Sequence, residues 1–269
     1  MDEVLRPGEI KPKSSSNQMD IRPFDFVEFP SRGKLYNGTT LEGKTGLDLF
    51  YLTAKDEDIL TSENLIKSGL MVDYLLKNTI KDKSINQEDL IIGDRNTLLI
   101  WLRSTGYGEQ YPVQIMCREC EEKYIHNFDL SKLETKYLEE DPDENGLFSF
   151  TLPSSKKLVK YKLMTVRDEN EITSISQDKK RKMNQKVDTM GYLSLLKTIV
   201  SIDGNADQLA VRNFVDYMPL RDSKALRDHI SKIEPGLNMI QTVACEHCGA
   251  RSEEMVPIRP NFFWPDLRA

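Results

Sequence analysis

Cys117-Arg118-Glu119-Cys120 and Cys245-Glu246-His247-Cys248 hold all four cysteines of the chain, as two CxxC pairs. Two intervening residues let a tight turn aim both sulfurs at one ion, and four thiolates complete the closed tetrahedral shell of structural zinc. One pair alone would suit a redox dithiol equally well. Two pairs with no cysteine left over point to metal, with reduced surface thiols or a disulfide as the competing readings. The expectation is a single structural zinc on Cys117, Cys120, Cys245 and Cys248. Closure within one chain is favoured over closure between chains, because a tethered partner has the higher effective concentration. His247 sits inside the second turn, where it points away from the metal, and is not counted as a ligand.

No other catalytic constellation stands out. The sequence has no GxSxG elbow, Walker A loop, dinucleotide glycine fingerprint or HExxH. Its three histidines are His126, His229 and His247, two of them in or beside the cysteine turns. A four-cysteine zinc keeps no open position for water or substrate. The carboxylates of Asp56-Glu57-Asp58 and Asp168-Glu169 suit helix starts better than acid–base chemistry. These features describe a non-enzymatic scaffold or interaction protein.

Composition agrees with that class. Of 269 residues, 39% are hydrophobic and 30% charged, and 37 basic against 43 acidic residues give a formal charge of −6. That balance argues against broad nucleic-acid binding, which depends on neutralising phosphates. The cluster Lys179-Lys180-Arg181-Lys182, followed by Lys186, carries the alternative reading of a zinc-stabilised nucleic-acid-binding regulator. No aromatics are interleaved there for base stacking, so a solvated helix face is the better reading. No apolar run is long enough to span a bilayer. The N-terminus has no basic-then-apolar signal pattern, so a reducing cytoplasm is expected, where paired cysteines more often bind metal than pair with each other.

Taken in order, residues 1–20 read as a flexible polar arm. A first half, residues 21–132, opens with Phe24, Phe26 and Phe29 and reaches a buried strand at Leu47-Asp48-Leu49-Phe50-Tyr51-Leu52. A helix entry follows at Thr53 to Asp58, with helical material through Ile80. A further helix runs from Asp94 to about Arg103 and is ended by Gly106 and Gly108. Val113 to Met116 and Tyr124 to Phe128 flank the first CxxC as a zinc hairpin. Residues 133–147 are acidic and broken by Pro142, a solvated linker by composition. A second half covers residues 148–258. Residues 259–269 form an aromatic tail, in which Phe262-Phe263-Trp264 lies between prolines and folds back or docks in a partner's groove.

The halves repeat one another. Cys245 follows Cys117 by 128 residues, and the same offset pairs Asp94 with Asp222, Leu98 with Leu226, Leu102 with Ile230, Gly108 with Gly236 and Phe128 with Val256. Earlier in each half, Leu163-Met164-Thr165-Val166-Arg167-Asp168-Glu169 matches Tyr51-Leu52-Thr53-Ala54-Lys55-Asp56-Glu57. The expected fold is therefore α+β and internally duplicated. Each half has a small β element, helices and a knuckle hairpin, and the halves share one zinc about a pseudo-twofold axis.

Several stretches together resemble a known family. They are Phe29-Pro30-Ser31-Arg32-Gly33-Lys34-Leu35-Tyr36, Leu52 to Leu60, Gly93-Asp94-Arg95-Asn96, Gly106-Tyr107-Gly108 with the first CxxC, and Phe262-Phe263-Trp264-Pro265. The set is similar to the baseplate hub subunit or hub assembly proteins of contractile-tailed, T-even-like bacteriophages, from about Phe26 to Asp266. The resemblance implies a non-enzymatic protein of the tail baseplate hub, as a resident subunit or an assembly factor. Its partners would be other tail and hub proteins, a tape-measure protein among them, and it would work in the host cytoplasm during assembly or in the virion tail. The arm and residues 262–265 are the expected contact surfaces.

Overall fold

In a computed structural model of the chain, residues 21–183, 189–258 and 260–263 are described. The expected arm at 1–20 lies outside them, as do the side chains of the basic cluster from Lys179.

Phe24–Glu28 (β1) pairs antiparallel with Gly46–Phe50 (β2). The far edge of the second strand is also covered, and of its five residues only Asp48 is not buried. Leu49 bridges to Ile80, and the Lys81 N–H donates to Asp48 O. Short helices Glu57–Leu60 (α1), Glu63–Ser68 (α2) and Met71–Thr79 (α3) lie between strand and bridge. Ile92–Tyr107 (α4) then leads into the hairpin Gln110–Met116 (β3) and Lys123–Asp129 (β4). This helix runs past the expected stop at Gly106. The glycine stays inside it, packed so closely on Leu52 that a Cβ would sit 2.9 Å from that side chain. The turn falls instead at Gly108, whose φ of 85° favours glycine.

After Thr135–Lys136 (β5), the second half uses a similar order. Phe148–Thr151 (β6), Leu158–Tyr161 (β7) and Ile199–Ile202 (β8) form an antiparallel sheet in that order. The helices Val166–Met183 (α5) and Met190–Thr198 (α6) lie between its second and third strands. Ile199 and Val200 extend an amphipathic run in the sequence, yet they leave the helix for the sheet, because an open edge of Leu158–Tyr161 is there to pair with. Gln208–Asp216 (α7) and Leu220–Ile233 (α8) follow, then Gly236–Leu237 (β9) and the hairpin Ile240–Ala244 (β10) and Arg251–Met255 (β11).

One apolar core runs from Val27 to Phe263 and draws on both halves, with Leu90, Leu98, Leu102, Val159, Val166 and Leu226 among its most enclosed members. The span 133–147 is more than solvated chain. β5 pairs with β9, Leu138 is buried, its N–H donates to Pro30 O, and Asp143 gathers Asn145, Leu147 and Lys160. Buried Leu138, the β5–β9 pairing and the Asp143 hydrogen bonds together tie the acidic stretch down. The tail also turns inward. Phe262 and Phe263 are 0% and 1% exposed, and Phe262 meets Tyr111 edge-on at 4.9 Å. These two aromatics fold back as core residues, the favoured of the two readings of the tail, and they do not form the contact surface also expected of them.

Repeated polar anchors fix the helix starts. The Thr53 N–H and hydroxyl donate to Asp56, and those of Thr165 donate to Asp168. Asp94, in the first turn of α4, takes the Ser31 N–H on Oδ1 at 3.0 Å. Its Oδ2 takes the Ser31 hydroxyl at 2.5 Å and the Tyr36 hydroxyl at 2.6 Å. Asp222, in the first turn of α8, takes the N–H groups of Ser154 and Ser155 at 2.6 and 2.9 Å. Both carboxylates are fully buried, where an unpaired charge would be costly.

The two halves join directly through backbone. The Val166 N–H donates to Leu90 O at 2.8 Å, the Ile92 N–H donates to Met164 O at 3.1 Å, and Ile91 bridges Thr165. Beside this joint Gly93 lies against Pro235, so closely that any Cβ would overlap the Pro235 carbonyl.

Candidate metal centre

Each hairpin ends in the same turn. The Cys117 N–H donates to Glu122 O and the Glu121 N–H to Cys117 O, at 2.9 and 3.0 Å. In the other, the Cys245 N–H donates to Ala250 O and the Gly249 N–H to Cys245 O, both at 2.9 Å. The last turn residue is left-handed in both, with φ of 60° at Glu121 and 72° at Gly249. Glycine adopts this region freely, whereas glutamate is strained in it.

These turns bring the four sulfurs together across the two halves. Cys117 Sγ lies 3.7 Å from Cys248 Sγ, and Cys120 Sγ lies 3.7 Å from Cys245 Sγ. All four sulfur atoms fall within 4.8 Å of one another. A tetrahedron with metal–sulfur bonds of about 2.3 Å has sulfur–sulfur edges of about 3.8 Å, so the cluster has the dimensions of a metal shell. The contacts are also reciprocal under the 128-residue offset, since Cys117 with Cys248 maps onto Cys245 with Cys120.

The electrostatics suit a cation. Backbone N–H groups of Cys120 and Glu119 hold the Cys117 thiol down at about 7. At Cys120 the Glu122 backbone acts to lower the thiol, but burial and the three neighbouring sulfurs outweigh it and push it up to about 12. Cys248, lowered by the Ala250 backbone and by Cys120, is raised overall by burial and by Cys117 and Cys245. One thiolate therefore forms readily and resists the next. A divalent cation removes that penalty, which is why thiol clusters of this kind release protons as they take up metal.

The surroundings are built to hold shape. Cys117 and Cys245 are buried with Tyr124 in a small cluster of their own, flanked by Ile115, Cys120 and Ala250. Cys120 is half-buried and Cys248 exposed. The histidines stand apart from the sulfurs. His247 Nε2 lies 3.4 Å from Lys123 O, His126 meets Phe128 edge-on at 4.9 Å, and His229 stacks on Phe150 at 4.4 Å.

Sequence reasoning missed Arg103. It is fully buried, donating from Nε to Phe262 O at 2.8 Å and from its terminal nitrogens to Gly108 O and Gln110 O. It thus ties the end of α4, the root of the first hairpin and the folded-back tail together. Its one legible signal was position, as a cation on the buried side of an apolar helix after Leu98, Leu99 and Leu102.

The family described as T4 bacteriophage base plate protein matches residues 44–264, a span that includes both cysteine pairs. No curated protein matches the chain, and no solved structure does.

Proposed function

Since the chain belongs to the T4 bacteriophage base plate protein family, and so to the structural proteins of the phage tail that associate with other tail proteins, we propose that it serves the central hub of the baseplate. In this reading it acts through protein–protein contacts without catalysing a reaction, in the host cytoplasm during assembly or within the finished tail. Its partners are hub subunits and a tape-measure protein. The metal is zinc, held by Cys117, Cys120, Cys245 and Cys248 in a closed shell that clamps one half to the other.

The hub role rests on the baseplate family and on the sequence resemblance; the observation that carries the metal clamp is the four-sulfur cluster, to which residues 21–132 and 148–258 each supply two members. A fold of two related halves is proposed with it, residues 21–132 and 148–258. Support comes from the matched knuckle turns, the paired Thr-x-x-Asp anchors and the two buried aspartates at helix starts. Zinc bound in a closed shell supplies no water or Lewis-acid site. What it supplies is a cross-link that the two-stranded hairpins cannot provide alone.

Elemental analysis of the purified chain, with and without Cys117→Ser, tests the metal. One zinc per chain that is lost in the variant is the expected result. For the hub role, the tagged chain would be recovered from infected-cell lysate and its companions identified. Hub and tape-measure proteins are expected; recovery of outer baseplate or sheath proteins alone would sink the hub assignment.

A further inference from the structure

A cleft of about 790 Å³ opens around the contact of Gly93 with Pro235. The start of α4, the segment around β5, the end of α8 and the root of the second hairpin line it. Its apolar lining reaches the surface: Tyr137 is 39%, Ile240 49% and Met255 68% exposed. Ile240 lies opposite Met255 across the hairpin, so the two side chains stand together on one face. Methionine in such a place fits itself to what it meets.

The charges in the cleft are unbalanced. Among the described residues, Glu134, Glu139 and Glu234 line it against one lysine, Lys136. That lysine spends its ammonium on Ser231 O at 2.6 Å, a carbonyl in the last turn of α8. Glu234 is the C-cap of the same helix, where the backbone end is already negative and an acid is unfavourable. No hydrogen bond or ion pair among the described residues ends on its carboxylate. Burial holds this acid above its ordinary value, with Lys136 opposing the rise and Glu169 adding to it.

An acid at the negative end of a helix, short of a partner in the folded chain, costs stability and has its use when a cation arrives from outside. The cleft carries an excess of acids and the whole chain a charge of −6, so a cationic segment is attracted and a second copy repelled. The mouth adds a second requirement, since apolar neighbours of that cation must cover Ile240 and Met255. Segments of this chain meet the two requirements poorly. Residues 1–20 hold four acids against three bases, and Lys179-Lys180-Arg181-Lys182 has no apolar residue among its cations.

We propose that this cleft docks a segment of another tail protein in which one arginine or lysine lies between apolar residues. The cation reaches Glu234 and the carbonyl end of α8, and its neighbours cover Ile240 and Met255. Such a site joins a charged anchor to an apolar rim that excludes water from it, the usual build of an energetically dominant contact. The proposal rests on the reading of this chain as one that works through contacts with tail proteins. Recovery of the same tail proteins, undiminished, by a Glu234→Gln chain would sink the cleft and leave that reading standing.

The probe is the peptide acetyl-Leu-Arg-Leu-amide, titrated into the full ¹⁵N-labelled chain and followed by amide shifts. Shifts confined to residues 134–139, 231–240 and 255 are expected. Affinity should fall about tenfold or more with Glu234→Gln, or with glutamine in place of the peptide's arginine. Glu234→Gln keeps the side chain's shape and removes its charge, so the melting temperature of the free chain should hold or rise. In parallel, a photo-cross-linking residue at Met255 would be used in infected-cell lysate, and the cross-linked segment sequenced. A tail-protein segment with a lysine or arginine beside apolar residues is expected. No shifts in the cleft, equal binding of the glutamine peptide, a melting temperature lowered by Glu234→Gln, or cross-links only within this chain or to a second copy would each overturn the proposal.

Discussion

At the start of α4, Asp94 is enclosed by two hydroxyls and one backbone N–H, while at the start of α8 Asp222 is held by two backbone N–H groups. The carboxylates occupy matching positions, and burial acts to raise both. At Asp94 burial outweighs the hydrogen bonds from Ser31 and Tyr36, and the acid rises to about 6. At Asp222 burial also acts upward, but the backbone N–H groups and hydroxyls of Ser154 and Ser155 together outweigh it and hold the acid below the ordinary range. A hydroxyl can reverse its role, but a backbone N–H cannot. Two buried carboxylates, each in the first turn of a helix, thus differ in how far their donors can adapt.

The largest change expected from breaking this pairing of halves is at the metal. Under the zinc shell proposed above, Cys117→Ser should lose the metal and lower the unfolding midpoint by ~10 °C or more, since structural metal contributes to folding directly. Calorimetry of wild type, variant and chelated wild type checks it, and the last two should coincide. Next comes the contact beside the joint of residues 90–92 with 164–166. Gly93→Ala should cost about 1–3 kcal/mol by forcing a Cβ into Pro235, whereas the exposed Arg221→Ala should stay within ~0.5 kcal/mol. Urea unfolding of the two variants measures the difference.

The aspartates offer a finer comparison. Asn at 222 would set an NH₂ against a backbone N–H, for a cost of about 1–3 kcal/mol. Asn at 94 keeps a carbonyl for the Ser31 N–H and donates to hydroxyls that can accept, so its cost should stay below ~1 kcal/mol. Equal losses would refute this account. Their pH dependence should also be opposite in sign. Asp94 binds its proton more tightly folded, at about 6, than unfolded, at roughly 3.9. Its contribution is therefore present at low pH and falls as pH rises between those values, then stays level. Asp222 contributes above its unfolded value and loses that contribution as pH falls through its depressed folded value. Stability of Asp94→Asn relative to wild type should accordingly rise between about pH 4 and 6.

The smallest effect is expected at the knuckles. Gly249→Ala should cost ~1 kcal/mol through its left-handed backbone alone, since a Cβ there meets nothing within 4 Å. Glu121→Gly should leave stability level or raise it by under ~1 kcal/mol, relief of strain being offset by greater freedom in the unfolded chain. Thermal melts of the two in parallel would tell whether the turns are as alike as their hydrogen bonds.

Local signals in the sequence determined a good deal. Spacing alone marked Cys117, Cys120, Cys245 and Cys248, because two intervening residues constrain a turn wherever it is found. Apolar periodicity marked the helix after Asp94 and the strands around the first knuckle, and the repeated Thr-x-x-Asp marked two helix starts. Tertiary structure alone decided which groups those elements meet. Ile199 and Val200 joined a sheet because an edge was open, Leu138, the β5–β9 pairing and Asp143 together pinned an acidic stretch, and Arg103 drew Phe262 inward. The joint between residues 90–92 and 164–166 closed where Gly93 allowed contact with Pro235. Each outcome depends on residues tens or more than a hundred positions apart, and a local pattern carries no record of what will be packed against it.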